Sequence, residues 1–409
     1  RRLSAEVKIS QWTFLALLHQ RERHSAQLLT PQPNVSVNQI RSSADNHLLR
    51  ATHLYEVQPD WELQTSLTTS RNDFNKWTPF LTPESQRQSF VQQIIGHWRH
   101  LDMRLANRSF RDHLILTGIE YQKDTNQQIN LGTLGLPFFQ SFYSHNERQA
   151  IYLQDLWQWH PKHSFVLGAR FDKSRRTDSN LHPRLGWIWQ YHPDLTVKLM
   201  HGSAFRAPNL YEFSANAPWF APIPKSEEIL SSELTLEHFP TKHFNYRMTI
   251  FNSKIDDIIE VDLMTALFVN GESIRSRGVE FAIEQRWQHG IHLKANWSWQ
   301  QQRLIEQDML ENAPKHLFNL QIDKQLTSEL QLGLQLRAMS RRVMPVFVLP
   351  GYGVAHLHMR WQASPQTEIS LSWQNIANKR YFDQPSVYEF PIEQLGQSLR
   401  LSMQWRFEP

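Results

Sequence analysis

From Ser398 the chain reads SLRLSMQWRF and alternates polar and apolar residues without a slip. Leu399, Leu401, Met403, Trp405 and Phe407 share one side, and Ser398, Arg400, Ser402, Gln404 and Arg406 the other. Successive side chains of a strand point to opposite faces, so the pattern predicts a strand with one greasy wall and one wet wall. The same period runs through Ile291–Trp299, Leu330–Leu336, Ala355–Trp361, Ile369–Trp373 and Leu185–Tyr191. Similar stretches lie near 46–56, 61–71, 86–100, 110–121, 148–172, 195–205, 229–254 and 276–287. Helical periodicity is weak throughout.

Short breaks separate many of these stretches: Val57–Asp60, His160–Lys162, His192–Asp194, Trp287–Gly290 and Ala363–Gln366. They are predicted to be hairpin turns. Longer polar, Pro-containing stretches at 71–85, 122–147, 206–228, 301–313, 340–350 and 376–396 are predicted to be loops. Roughly ten alternating residues per strand, with short turns at one end and long loops at the other, describe a transmembrane antiparallel β-barrel. On that reading the long loops lie outside the cell, and the partner of the greasy walls is outer-membrane lipid. Trp61, Trp98, Trp157, Trp159, Trp297, Trp299 and Trp405 lie near strand ends, as an interfacial aromatic girdle requires. The rival is a soluble β-sandwich or propeller, in which a second sheet covers the greasy wall and the same Trp residues are core.

Composition narrows the picture. The chain has 409 residues, 40% apolar and 12% aromatic with 15 Trp, which is not a disordered composition. Its 43 basic and 39 acidic residues nearly balance, and no basic tract with interleaved aromatics points to nucleic acid. The absence of Cys excludes disulfides, thiolate metal sites and Cys nucleophiles. No segment approaches the roughly 18 apolar residues of a spanning helix; Trp12–Leu18 comes nearest and ends in HQRERH. The chain starts with Arg, and no apolar core or cleavage site follows RRLS. The N-terminus therefore reads as a processing product or a truncation.

Several motifs then occur in order. HPRLGWIWQYHPDLTVKLMHGSAFRAPNLYEF (182–213) holds paired strands ending in Phe205-Arg206-Ala207-Pro208, followed by Leu210, Tyr211 and Glu212. Ser226-Glu227-Glu228 leads into Glu233-Leu-Thr-Leu-Glu237. Asn270 precedes Arg275-Ser-Arg277-Gly278-Val-Glu280. QNIANKRY holds Asn375, Lys379, Arg380 and Tyr381, and GQSLRLSMQWRF closes on Phe407. Together, over about 182–407, these resemble the TonB-dependent outer-membrane receptors. The resemblance implies a 22-stranded barrel enclosing an N-terminal plug, a TonB complex as partner, and a ferric siderophore, haem or cobalamin as the ligand of the outer loops.

The chain departs from that pattern at its front. About eighteen candidate strands are found, and nothing resembles the plug or the TonB box. Residues 1–409 are thus expected to be the barrel domain alone, N-terminally truncated, without plug or signal peptide. Glu408 and Pro409 after the terminal aromatic are a further small departure.

For ligand contact, Trp219 and Phe220 stand out within Pro218–Pro222, because aromatics and prolines present a rigid surface to a bulky ligand. The bland reading is a self-packed loop. Haem receptors of this family carry a ligand His after the FRAP box, but residues 209–224 contain none, and the next is His238. His182, His192, His292, His356 and His358 read as wet-wall residues. Arg206 has two readings, contact with an anionic ligand or pairing with a wall carboxylate. Glu280, Glu284 and Arg286 suggest a structural charge ladder. No nucleophile elbow or HExxH occurs, so neither a catalytic nor a metal site is assigned, and no cofactor is implied. A passive porin would share the wall pattern but lack the motifs. The expected function is receptor-mediated, TonB-dependent uptake, with a ferric siderophore as ligand.

Overall fold

A computed structural model describes residues 2–26, 39–81, 87–262, 264–305, 310–345, 347–384 and 391–407. Its elements begin with β1 (Arg2–Ile9), β2 (Trp12–Ala26), β3 (Gln39–Gln58), β4 (Trp61–Leu81), β5 (Arg87–Asn107), β6 (His113–Thr133), β7 (Phe138–His160) and β8 (His163–Ser174). Next come β9 (Asn180–His192), β10 (Leu195–Arg206), helix α1 (Leu210–Ser214), β11 (Glu227–Thr241), β12 (Phe244–Asp256), β13 (Ile259–Val261) and β14 (Phe268–Asn270). Then follow β15 (Ile274–Arg286), β16 (Ile291–Leu304), β17 (His316–Gln325), β18 (Leu330–Met339), β19 (Arg342–Val343) and β20 (Val348–Leu349). The last are β21 (Tyr352–Ser364), β22 (Thr367–Gln374), β23 (Phe382–Asp383), β24 (Ile392–Glu393) and β25 (Ser398–Trp405).

Nineteen of these strands belong to one sheet, and β13–β14, β19–β20 and β23–β24 form separate small hairpins. Two compact units divide the chain: Arg1–Leu185, Gly202–Ile229 and Asp256–Gly271 in the first, and Gly186–His201, Leu230–Ile255 and Glu272–Pro409 in the second.

In the first unit, β1 to β8 pair in sequence order and antiparallel. One register row crosses six strands as Val7, Phe14, Ala51, Leu67, Leu101 and Tyr121. The opposite face carries Ser66, Asp102, Glu120, Ala150 and Asp172 in a matching row. Among the described residues nothing covers the apolar face: Leu67 is 59% exposed, Ile119 51% and Ile151 55%. The polar face is tied by its own charges, with Arg170 Nη1 donating to Glu120 at 2.6 Å and Nε to Asp172 at 2.9 Å. Close approach explains one glycine here. A Cβ on Gly118 would stand 2.4 Å from the Tyr152 hydroxyl and 2.8 Å from the Met103 carbonyl.

Further along the same strands the two faces exchange character. Ile94, Phe90, Ile129, Leu131 and Phe142, on the face that is polar nearer the turns, bury one another together with Leu210. The other face carries an amide ladder: Asn130 donates to Gln93 at 2.8 Å, Gln93 to Asn75 at 3.3 Å, and Gln128 to the Tyr143 hydroxyl at 2.6 Å. The exchange falls at the β5–β6 bulge beside His97 and Trp98. A face that is bare and apolar below this level, and polar above it, meets an apolar medium below and water above.

The second unit repeats the pattern below the exchange. Leu293, Ile322, Leu334, Leu357, Trp373 and Leu399 form one row across β16, β17, β18, β21, β22 and β25. Glu284, Lys294, Gln321, Gln335 and His356 lie on the other face.

The predicted hairpin turns at 57–60, 160–162, 192–194, 287–290 and 363–366 are all present. Two sequence expectations need correction. The loops expected at 71–85 and 122–147 are mostly strand, because β4 runs to Leu81 and β6 and β7 extend to Thr133 and from Phe138. Their Asn and Gln residues pair in ladders rather than in coil. Trp98 lies on the polar face, packed edge-on to His100 at 6.5 Å, not in a girdle. The expected count of about eighteen strands agrees with the nineteen that the sheet holds among the described residues. The N-terminal hairpin β1–β2, in which Leu3, Ala5, Val7 and Ile9 alternate with Arg2, Ser4, Glu6 and Lys8, was not among the expected strands.

Candidate functional site

The FRAP segment ends β10 and opens a loop that closes at β11, all within the first unit. Phe205 stacks on His182 with ring centroids 4.8 Å apart and planes 6° apart. His182 is thereby buried, its Nδ1 hydrogen-bonded to the Ser203 hydroxyl across 3.2 Å, on the face opposite to the exposed Leu181 and Leu185. Arg206 Nε and Nη2 fork onto the Glu227 carboxylate at 2.6 and 2.7 Å, and its Nη1 donates to Glu212 at 2.9 Å. Of the two readings of Arg206, the structure therefore holds the one with protein carboxylates.

Pro208 and Asn209 then start α1. Asn209 caps it, its Oδ1 accepting from the Tyr211 and Glu212 amides at 2.8 and 3.0 Å. Glu212 Oε2 returns a bond to the Asn209 N–H at 2.8 Å, completing a capping box. Glu212 thus serves helix and ion pair together. Glu227 is shared likewise, for its Oε1 accepts the Ile259 N–H of β13 at 2.8 Å. The Arg206 guanidinium, first, and the Ile259 amide hold the Glu227 carboxyl below the usual carboxylate range, against a smaller opposing effect of burial.

Two asparagines complete the frame. Asn216, 1% exposed, donates to the Pro222 and Phe268 carbonyls at 2.7 Å each and accepts the Phe268 N–H at 2.9 Å. Asn270 accepts the Lys225 N–H at 2.8 Å and donates to the Asp257 carbonyl at 2.7 Å. Tyr211 packs edge-on against Phe142 at 5.6 Å and Phe268 at 5.5 Å, and Leu210 enters the apolar cluster beneath. Asn216 and the double use of Glu227 were not foreseen as site features, since their partners lie 52 and 32 residues away.

On this frame Trp219 is 74% exposed and Phe220 97%. Phe220 has φ of +52°, a left-handed conformation that a bulky residue occupies only when its surroundings hold it there. The loop therefore keeps two large rings out in water on an ordered base. Beside the base, a cavity of about 220 Å³ opens between Phe205, Ala207, Arg148, Arg170, Glu120 and Asp172. Among the described residues, His, Asp and Glu side chains gather into no metal cluster of three or more.

The family model described as TonB dependent receptor-like, beta-barrel, matches residues 13–376. The chain belongs to the TonB-dependent receptor family. The iron-regulated outer membrane virulence protein of Vibrio cholerae serotype O1 is 22% identical over 277 residues, covering 59% of this chain and 42% of that protein. Among solved structures, the pyoverdine receptor FpvA of Pseudomonas aeruginosa PAO1 aligns with a TM-score of 0.80 at 13% identity, over 98% of this chain and 70% of that one. The ferric-catecholate import receptor Fiu of K12 E. coli gives 0.75 at 13%, over 97% and 72%. The copper transporter OprC gives 0.78 at 12%, over 98% and 70%. At such identity these structures share the fold. The chain spans less than half the length of its curated relative. Family and fold place it in the bacterial outer membrane as a transmembrane antiparallel β-barrel.

The remaining family-motif residues of this TonB-dependent receptor barrel lie in the second unit. Arg275 opposes Lys254 and Arg303, and Arg277 donates to Gln301 at 2.7 Å. Gly278 lets Phe251 and the Trp299 carbonyl approach, since a Cβ there would meet them at 2.7 and 2.3 Å. Glu280 faces Thr249 and Ser298 in register, outside the expected ladder. That ladder is Glu284 with Arg286 and with His292, each at 2.7 Å. Asn375, 2% exposed, accepts the Lys379 N–H and donates to the Lys379 carbonyl, both at 2.8 Å. Arg380 forks onto Glu393 at 2.7 and 2.9 Å, and Tyr381 packs on Tyr352 at 4.4 Å. Phe407 stacks on Trp405 at 5.6 Å; Glu408 and Pro409 lie outside the described residues.

Proposed function

We propose that residues 1–409 are the barrel domain of an outer-membrane receptor for TonB-dependent uptake of a ferric siderophore, with Trp219 and Phe220 as first contact. The observation that carries this reading is Phe220, 97% exposed and left-handed, on a loop fixed by Arg206, Asn209, Asn216 and Asn270. An exposed ring pair costs solvation unless a flat or bulky ligand covers it, and a preformed platform loses little entropy on binding. The names of the Vibrio cholerae relative and of FpvA and Fiu point to iron and its chelates and support this choice. TonB is the partner that would drive uptake, and lipid is what the apolar face meets.

The test is quenching of Trp fluorescence in the full chain, folded in detergent, during titration with a ferric catecholate. Saturable binding that weakens at least tenfold in the Trp219→Ala/Phe220→Ala double variant is expected. Equal binding by wild type and double variant, or preference for haem over the ferric catecholate, contradicts the proposal.

A further inference from the structure

The apolar face of the first unit carries a groove. Small side chains interrupt the wall where Ala5 opposes Ala16 and where Phe14 opposes Ala51. Leu49 and Thr69 continue the first of these rows, and Leu67 the second. The resulting groove has a volume of about 690 Å³ between Val7, Phe14, Leu49 and Leu67, and Arg99 reaches its lining.

Arg99 opposes Thr69 on one side and Lys123 on the other, one row beyond the apolar row of Leu67, Leu101 and Tyr121. It therefore stands at the level where the face turns from apolar to polar. Lys123 is paired with Glu147 at 3.3 Å, and Arg71 with Asp73. Arg99 is exposed and has no ion pair or side-chain hydrogen bond among the described residues. A guanidinium at the hydrocarbon edge without a carboxylate is costly unless a headgroup supplies the anion. Neighbouring strands lie about 4.8 Å apart, so Arg99 and Lys123 reach one phosphate together. Long hairpins mark this end of the strands as extracellular, which makes the lipid one of the outer leaflet.

We propose that the groove and Arg99 form a binding site for an outer-leaflet lipid with a headgroup phosphate. Its acyl chain lies along Ala16 and Ala51, and its phosphate sits on Arg99 with Lys123 beside it. This site is separate from the aromatic loop and independent of which ligand that loop takes.

The test uses the full chain in detergent micelles, with lipid retention read by native mass spectrometry and diphosphoryl lipid A as probe. Retention is expected to fall at least tenfold for fully dephosphorylated lipid A and at least fivefold for Arg99→Gln. Ala51→Leu, which fills the groove and leaves the charge alone, is expected to lower retention as well. Heat-modifiable gel mobility checks that each variant folds; should Ala51→Leu not fold, Arg99→Gln decides, since its side chain faces away from the packed wall. Equal retention of phosphorylated and dephosphorylated lipid, or unchanged retention in Arg99→Gln, overturns the site. So does loss of the lipid to inorganic phosphate at equal concentration.

Discussion

Arg206 is where a strand becomes a loop. Its fork with Glu227 and its bond to Glu212 join β10, α1 and β11, and Glu227 extends the joint to β13. Both side chains retain some solvent contact, so screening limits the pair to about 1 kcal/mol. Arg206→Ala is therefore expected to loosen the loop without unfolding the sheet, read as faster amide exchange over 210–222 with unchanged heat-modifiable mobility. The sign of the pH effect follows from Glu227. Its carboxyl lies below the ordinary value of 4.5, so the stabilisation is complete above that value and is lost as pH falls through the lowered one. Loop protection should hold at neutral pH and fall only in acid, and Arg206→Ala should flatten that dependence. Gly278→Ala drives a Cβ onto the Trp299 carbonyl, a backbone atom that cannot swing aside. It is expected to cost about 1–3 kcal/mol, read as a lower midpoint of heat-modifiable mobility. Of these residues, Phe205, Arg206 and Gly278 were visible as motif letters. What Arg206 touches was not, and Asn216 gave no signal, because its role exists only once Phe268 is folded beside it.

At the scale of elements, period-two alternation placed most strands and all five short turns, because a pleated strand transmits its face pattern directly to the sequence. It failed where the pattern changes meaning. Beyond the β5–β6 bulge, Gln128 and Asn130 fall in a stretch that reads as loop, yet with Gln93 they form an amide ladder over a buried cluster of Ile129, Leu131 and Phe142. A sequence reading that expects one greasy wall ends the strand there. The exchange of faces carries a prediction of its own. Ile119→Arg places a charge on the bare apolar face and is expected to cost about 2–4 kcal/mol of folding stability in bilayers. Leu134→Arg, at the exposed β6–β7 tip, should fall within about 0.5 kcal/mol of wild type. Urea unfolding in lipid vesicles measures both, and equal costs would contradict the assigned level of the membrane.

At the scale of the molecule, membership of the family rests on a family model over residues 13–376, while ligand identity lives in loops grafted on a shared wall. The greasy wall of Ser398–Phe407 and the apolar rows of each unit are alike in being bare, and lipid is the medium we propose for them. That the hydrocarbon edge crosses β6 between Tyr121 and Asn126, with the aromatic loop beyond it in water, is tested most directly by nitroxide labels at 115, 117, 119, 121, 126, 128 and 143. The full chain is reconstituted in bilayers, and collision with oxygen and with a water-soluble nickel chelate is read by electron paramagnetic resonance. Oxygen should dominate from 115 to 121 and the nickel chelate from 126 to 143. Chelate access along the whole series would contradict a lipid-facing wall.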